Sequence, residues 1–215
     1  MIKDYFQKSE SPFYSFIITL PMFLVYELGL FLMRGTEFSY IKNGADVLIE
    51  EAISTLGFDI FYLSSSLFLL VFFVVAYYQK KNYQSFTIHK SYLAIMLLES
   101  FIYASLLLIF LGNMGLYLMD ISVENIQFNL ILSLGAGIYE ELIFRVFFLF
   151  IFYQLIQFIF KSMSHFSTQF FALFISSILF SLFHFMGSES FSQDAFTIRL
   201  IAGILLGLLY INRGF

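Results

Sequence analysis

From Phe128 to Phe160 the chain is apolar almost without a break, and the charged residues inside that run are Glu140, Glu141 and Arg145, in the order Ile138-Tyr139-Glu140-Glu141-Leu142-Ile143-Phe144-Arg145. A segment this long is compatible with lipid, where a spanning helix needs about 20 mostly apolar residues. A charged side chain at that depth costs about 2.5–3.5 kcal/mol on insertion scales and marks a functional site by default. Helical spacing separates the three. Glu141 and Arg145 are i,i+4, one turn apart on one face, and are placed to pair. Glu140 is turned about 100° from Glu141 at 3.6 residues per turn and does not share that partner. One carboxylate thus has a built-in counter-charge and the other is left for chemistry. The plainer reading is a buried ion pair plus one protonated glutamate that holds helices together.

The rest of the composition agrees with a membrane setting. Of 215 residues, 60% are hydrophobic and 12% charged, with a mean hydropathy of +0.87. Soluble domains are nearer ~45–50% apolar and ~25% charged. The fold class read from this is all-α, a polytopic transmembrane helix bundle. With 32 phenylalanines and no tryptophan, the interfacial aromatic role falls to the 14 tyrosines. There is no cysteine, which excludes disulfides, a thiolate nucleophile and cysteine-ligated metal. The net charge of −4 says little about partners, and no basic patch suggests nucleic acid. Met1 to Ser11 is polar, and no small-residue cleavage site follows the first apolar run, so no signal peptide is expected.

Six spans are predicted: Phe13–Met33 with Glu27, Ile60–Tyr78, Tyr92–Leu118 with Glu99, Phe128–Phe160, Phe170–Met186 ending in His184, and Phe196–Ile211. Ala45–Gly57 reads as a short amphipathic helix at the interface, its polar side carrying Asp46, Glu50 and Glu51. Polar loops are expected at Arg34–Gly44, Gln79–Lys90, Asp120–Gln127, Lys161–Gln169 and Gly187–Ala195. Gly135 and Gly137, just before the glutamate pair, permit close helix approach, and Gly203 and Gly207 form a small-xxx-small pair on the last span. No internal repeat and no soluble domain is visible. The chain reads as one integral membrane domain over 1–215, with variable N-terminal spans over 1–127 and the motif-bearing core over 128–215.

Orientation follows from the basic residues. A cytoplasmic N-terminus puts Lys3, Lys8, Lys80, Lys81, Lys90, Lys161 and Arg213 inside and only Arg34 and Lys42 outside. That is the pattern expected of a multi-pass protein of a bacterial inner membrane. It places the glutamate pair in the outer half of the fourth span and His184 near the outer end of the fifth. Arg199 is expected to snorkel to the interface. Glu27 and Glu99 read equally well as helix-gluing carboxylates and as the lining of a substrate or water path.

His184 ends the aromatic stretch Leu179-Phe180-Ser181-Leu182-Phe183-His184-Phe185. Alone it is a core or interfacial histidine. On the span after the glutamate pair it gains a second meaning, since antiparallel neighbours joined by a short loop pack together. A carboxylate and an imidazole around one cavity suit the deprotonation of a water. They equally suit a divalent metal such as zinc with a water at an open position, with Glu140 and His184 as ligands.

Glu140-Glu141-Leu142-Ile143-Phe144-Arg145 matches the EExxxR pattern, and Phe180-Ser181-Leu182-Phe183-His184 the FxxxH pattern, of the CPBP family. These are the CAAX prenyl endopeptidase, bacteriocin-processing and Abi-type intramembrane proteases. Gly203 to Arg213 resembles the glycine-bearing helix that follows. The resemblance covers about Ser133 to Phe215, and both motifs occur in order on consecutive apolar helices. It implies hydrolysis of a peptide bond in a membrane-associated protein or peptide, within or beside the bilayer. Glu140 would activate water, Glu141 with Arg145 would support the site, and His184 would hold the water or a metal and stabilise the oxyanion. Both zinc-dependent and metal-independent glutamate mechanisms are compatible with that family.

The family's last motif, a histidine followed four positions later by asparagine or a similar residue, has no counterpart before Phe215. The resemblance therefore implies a longer protein, an incomplete site or a non-catalytic relative. His89 and His165, the other histidines, fall in loops on the predicted inner side. Two other function classes remain open on sequence: a non-catalytic membrane scaffold or regulator of the same fold, and a proton-coupled transporter. The transporter would be expected to show repeated topology with discontinuous helices.

Overall fold

The computed structural model describes residues 2–33, 42–55, 57, 63–82, 88–113, 126–186 and 190–214, with backbone alone at 2–3, 63–65, 67 and 78–82. The predicted loops at 34–41 and 120–125, the end of the third predicted span and the start of the second lie outside these residues. Every described element is helical: α1 Ile2–Ser9, α2 Pro12–Leu32, α3 Gly44–Ser54, α4 Leu63–Asn82, α5 Lys90–Asn113, α6 Ile126–Gly135, two π-helical stretches Ala136–Glu140 and Leu142–Phe148, α7 Leu149–Ile159, α8 His165–Phe183 and α9 Gln193–Arg213. The starts are set by short polar side chains that satisfy orphan backbone donors. Ser11 caps α2 with Pro12 at its first turn, Ser164 caps α8, and Ser192 caps α9. α9 closes on Gly214 at φ 80, a backbone angle that favours glycine.

Among the described residues, five helices are long and apolar enough to cross a membrane: Pro12–Leu32, Lys90–Asn113, Ile126–Ile159, His165–Phe183 and Gln193–Arg213. A shorter apolar stretch, Phe68–Tyr77, lies within α4. The protein is an all-α, multi-pass integral membrane protein. The second predicted span falls on α4, but its apolar part is short, and the helix runs on to Asn82 through residues expected in a basic loop. The segment Ile126–Ile159 has 34 residues. As straight α-helix at about 1.5 Å per residue it would exceed the ~30 Å hydrocarbon core.

The fold forms two compact units, Met1–Leu98 with Ile121–Glu140, and Glu99–Asp120 with Glu141–Phe215. The chain passes from one to the other between Glu140 and Glu141.

In the first unit α2 packs on α1, α4 and α6, and α3 packs on α4 and on the stretch Ala136–Glu140. Phe23 stacks on Phe68 at 4.3 Å between ring centres. A Cβ on Gly29 would lie 2.5 Å from Ile131 Cδ1, so the glycine sets how closely α2 and α6 approach. At the other end of α2, Tyr5, Phe13, Tyr14 and Met96 form a small core. Around it Tyr92 Oη donates to Asp4 Oδ2 at 2.6 Å, and the His89 amide donates to Tyr14 Oη at 3.1 Å. The Tyr92 hydroxyl, aided by the Lys8 charge, holds the Asp4 carboxyl below its ordinary value of 3.8.

In the second unit α8 lies between α7 and α9. A Cβ on Gly203 would sit 3.1 Å from Ser177 Cβ, and one on Gly207 would collide with Leu173 Cδ1, so α9 presents its small residues to α8. Ser181 Oγ donates to the Phe196 carbonyl at 2.7 Å, and Gln157 Nε2 to Thr168 Oγ1 at 2.7 Å. Glu99 meets Arg213 in a two-pronged pair, with both N···O distances 2.7 Å, and Tyr103 Oη donates to it at 3.2 Å. Glu99 is thus a charge-paired strut from α5 to the end of α9. Arg199 holds its guanidinium 5.1 Å above the Phe185 ring.

Glu99→Ala leaves a partly buried guanidinium without its carboxylate, so thermal unfolding in detergent should show a loss of about 1–3 kcal/mol. The apolar double variant Glu99→Met/Arg213→Met should recover much of it. At the other end, a depressed carboxyl contributes stability above its unfolded value that is lost as pH falls through its folded value. Amide exchange of α1 should therefore stay slow from neutrality down to the ordinary carboxyl value of 3.8 and rise below it. Asp4→Asn should remove that pH dependence.

Candidate active site

The sequence motif around the glutamate pair does not fold as regular α-helix. Ala136–Glu140 and Leu142–Phe148 both take i→i+5 geometry, with Glu141 between them. Such wide turns are rare and gather at functional sites. They shift backbone carbonyls away from their usual donors, and Ser176 Oγ on α8 donates to one of these, the Phe144 carbonyl.

In the first unit, Glu140 Oε1 accepts a hydrogen bond from Asn43 Nδ2 at 3.2 Å. Asn43 is the N-cap of α3, its Oδ1 accepting from the Ala45 amide at 2.9 Å. α3 is docked by a polar contact: Tyr26 Oη donates to Asp46 Oδ2 at 2.8 Å. Asp46 is only 1% exposed, and its Oδ1 has no hydrogen-bond partner among the described residues. The expectation that Asp46 lies on a solvated polar side is corrected here; the buried face of α3 is Ala45, Asp46 and Ile49. Beside it Tyr139 Oη donates to Glu27 Oε1 at 3.3 Å, and the Tyr26 and Tyr139 rings meet edge to face at 5.6 Å. Gly135 makes room for this cluster, since a Cβ there would collide with the Tyr26 ring and lie 3.0 Å from Asn43 Cβ. Gly137, predicted to do the same, faces open space.

In the second unit, Arg145 Nε lies 3.4 Å from Glu141 Oε2, as the spacing predicts. The pair is lopsided: the arginine side chain is 2% exposed and the glutamate 25%. The guanidinium sits 4.3 Å above the Phe180 ring. A desolvated contact of this kind is worth about 2 kcal/mol. Phe180 also meets the His184 ring edge-on at 5.0 Å, and its carbonyl lies 2.9 Å from His184 Nδ1. A carbonyl only accepts, so Nδ1 carries the proton and Nε2 is the acceptor nitrogen of the neutral ring. Gly203 on α9 approaches Phe180 from another side, its Cβ position 3.2 Å from Phe180 Cδ1. The two motifs therefore meet through Phe180, which touches both Arg145 and His184.

The second unit brings Arg145, paired with Glu141, and His184 onto one phenylalanine, while Glu140 is held in the first unit by Asn43. Asn43, Asp46 and Tyr26 carry no sequence signal of their own. The Phe of FxxxH did carry one, as the residue i,i−4 to His184. A catalytic zinc has three protein ligands, and among the described residues no three His, Asp or Glu side chains form such a group. Glu140 and His184 alone do not complete that donor set.

Lysine keeps the charge of Arg145 but not the planar face on Phe180. Arg145→Lys should lose about 1–2 kcal/mol in thermal unfolding, and Phe180→Leu should cost less in that background than in the wild type, because the two share one contact.

Comparison with known proteins places these motifs. Residues 122–215 match the family model described as Rce1-like, type II CAAX prenyl endopeptidase. No curated protein sequence and no solved structure gives a significant match. The matched region contains both EExxxR and FxxxH and reaches the glycine-bearing α9, as the resemblance implied. Residues 122–215 are thus similar to the Rce1-like, type II CAAX prenyl endopeptidase family, in keeping with the CPBP resemblance that the two motifs carry.

Proposed function

We propose that the protein is an intramembrane endopeptidase that cleaves a peptide bond in a membrane-associated protein or peptide, with Glu140 as general base. The observation that carries this reading is the ordered pair EExxxR and FxxxH inside the matched region. Glu140 takes a proton from water as its oxygen adds to the scissile carbonyl carbon. It returns that proton to the leaving nitrogen as the C–N bond breaks, giving a carboxylic acid and an amine, and the acid's proton then passes to the amine. A positioned general base supplies about 10²–10⁴ in rate. His184, its Nδ1–H engaged by the Phe180 carbonyl, works through Nε2, which accepts from water when neutral and donates to the oxyanion when protonated. Glu141 and Arg145 support the motif from within their own ion pair. The basic-residue bias supports a cytoplasmic N-terminus.

The test is cleavage in proteoliposomes of two probes: a prenylated peptide ending in a CAAX sequence, and an unprenylated peptide on a membrane anchor. Glu140→Gln should lower kcat by about 10²–10⁴ with the fold intact. Wild-type activity on either probe with an unaffected Glu140→Gln variant would remove Glu140 from its role. No cleavage of either probe by the wild type would favour the scaffold reading.

A further inference from the structure

Glu140 lies inside the matched region, but the side chain that orients it does not. Asn43 uses both ends of its amide. The Ala45 N–H can only donate, so the end facing it at 2.9 Å is Oδ1. The NH₂ end then faces Glu140 Oε1 at 3.2 Å, where a carboxylate can only accept. The helix cap thus decides which way the amide points, and no flip satisfies both contacts. The π geometry explains how one residue reaches the glutamate. At 3.6 residues per turn, Gly135 and Glu140 would face different directions. An i→i+5 turn brings them nearer to the same side. Asn43 meets both, its Cβ 3.0 Å from where a Gly135 Cβ would be. α3 itself is held by Tyr26, fully buried and hydrogen-bonded to Asp46 at 2.8 Å.

We propose that Asn43 is the positioning residue of Glu140: from the N-cap of α3 its amide holds Oε1 and so fixes the direction in which the carboxylate is presented. This rests on Glu140 being the general base of the proposed protease. It makes the amphipathic helix a part of the catalytic arrangement.

Two measurements test it, one of them without any substrate. Asn43→Ser keeps an N-cap oxygen but removes the Nδ2 donor. Its kcat on the cleaved probe should fall by about 10- to 100-fold with KM unchanged, the penalty for a mislaid reacting group. Asn43→Asp also keeps the cap but sets a carboxylate against Glu140. It should lower the midpoint of thermal unfolding by about 3–6 °C in the wild-type background. In the Glu140→Gln background the glutamine amide can donate to the introduced carboxylate, so the same change should cost almost nothing. That non-additivity reports the contact itself. An Asn43→Ser enzyme with unchanged kcat overturns the proposal, as does a cycle in which Asn43→Asp costs the same in both backgrounds. If the wild type cleaves nothing, the protease reading fails, and the cycle alone decides whether Asn43 orients the carboxylate.

Discussion

A carboxylate in an apolar helix bundle cannot rely on water, so the fold must hand it a donor. The described intramembrane acids show two solutions. In the second unit guanidinium groups lead, from Arg145 to Glu141 and from Arg213 to Glu99, where the Tyr103 hydroxyl joins. In the first unit they include tyrosine hydroxyls on Glu27 and Asp46 and an amide on Glu140. The difference has a chemical consequence. Arg213 occupies both oxygens of Glu99, which suits a strut. Asn43 engages Oε1 of Glu140 with a neutral amide, which suits orienting the carboxylate. Adjacent glutamates in one motif are thereby suited to different work.

Phe180 plays the same organising part in the second unit. Its ring receives the Arg145 guanidinium, its edge meets the His184 imidazole, and its carbonyl sets the tautomer of that imidazole. A flat hydrocarbon face is a sound support for a guanidinium that must stay charged away from water. Gly203 contributes by being small, since any larger residue on α9 would press against Phe180 and Ser177. The Phe of the FxxxH motif therefore joins the arginine to the histidine and is not only spacing before a histidine.

What the sequence made legible was local. Glu141 and Arg145 are four residues apart and pair as helical spacing requires. The apolar runs locate the long helices to within a few residues. What stayed hidden was either long-range or against the expected period. Asn43 and Glu140 are separated by 97 positions, and Glu99 and Arg213 by 114, so no periodicity links them. Asp46 misled because a charged residue on an amphipathic helix is ordinarily solvated, whereas here a buried tyrosine hydroxyl receives it. The π turns were invisible because every spacing argument assumed 3.6 residues per turn.

Those π turns tie the local and the long-range parts together. An i→i+5 stretch leaves Glu141 and Arg145 near enough to pair, and so preserves the contact that a regular helix would also give. It changes the residues before them. Gly135 and Glu140 come nearer to one side, Gly135 admits the Tyr26 ring and Asn43, and Asn43 reaches the carboxylate. After the glutamates it turns the Phe144 carbonyl toward Ser176 on α8. A regular α-helix with the same residues would keep the ion pair but turn Gly135 and Glu140 apart. The wide turn is thus what lets one short motif serve both as a charge-paired support and as a carboxylate oriented by a distant helix cap.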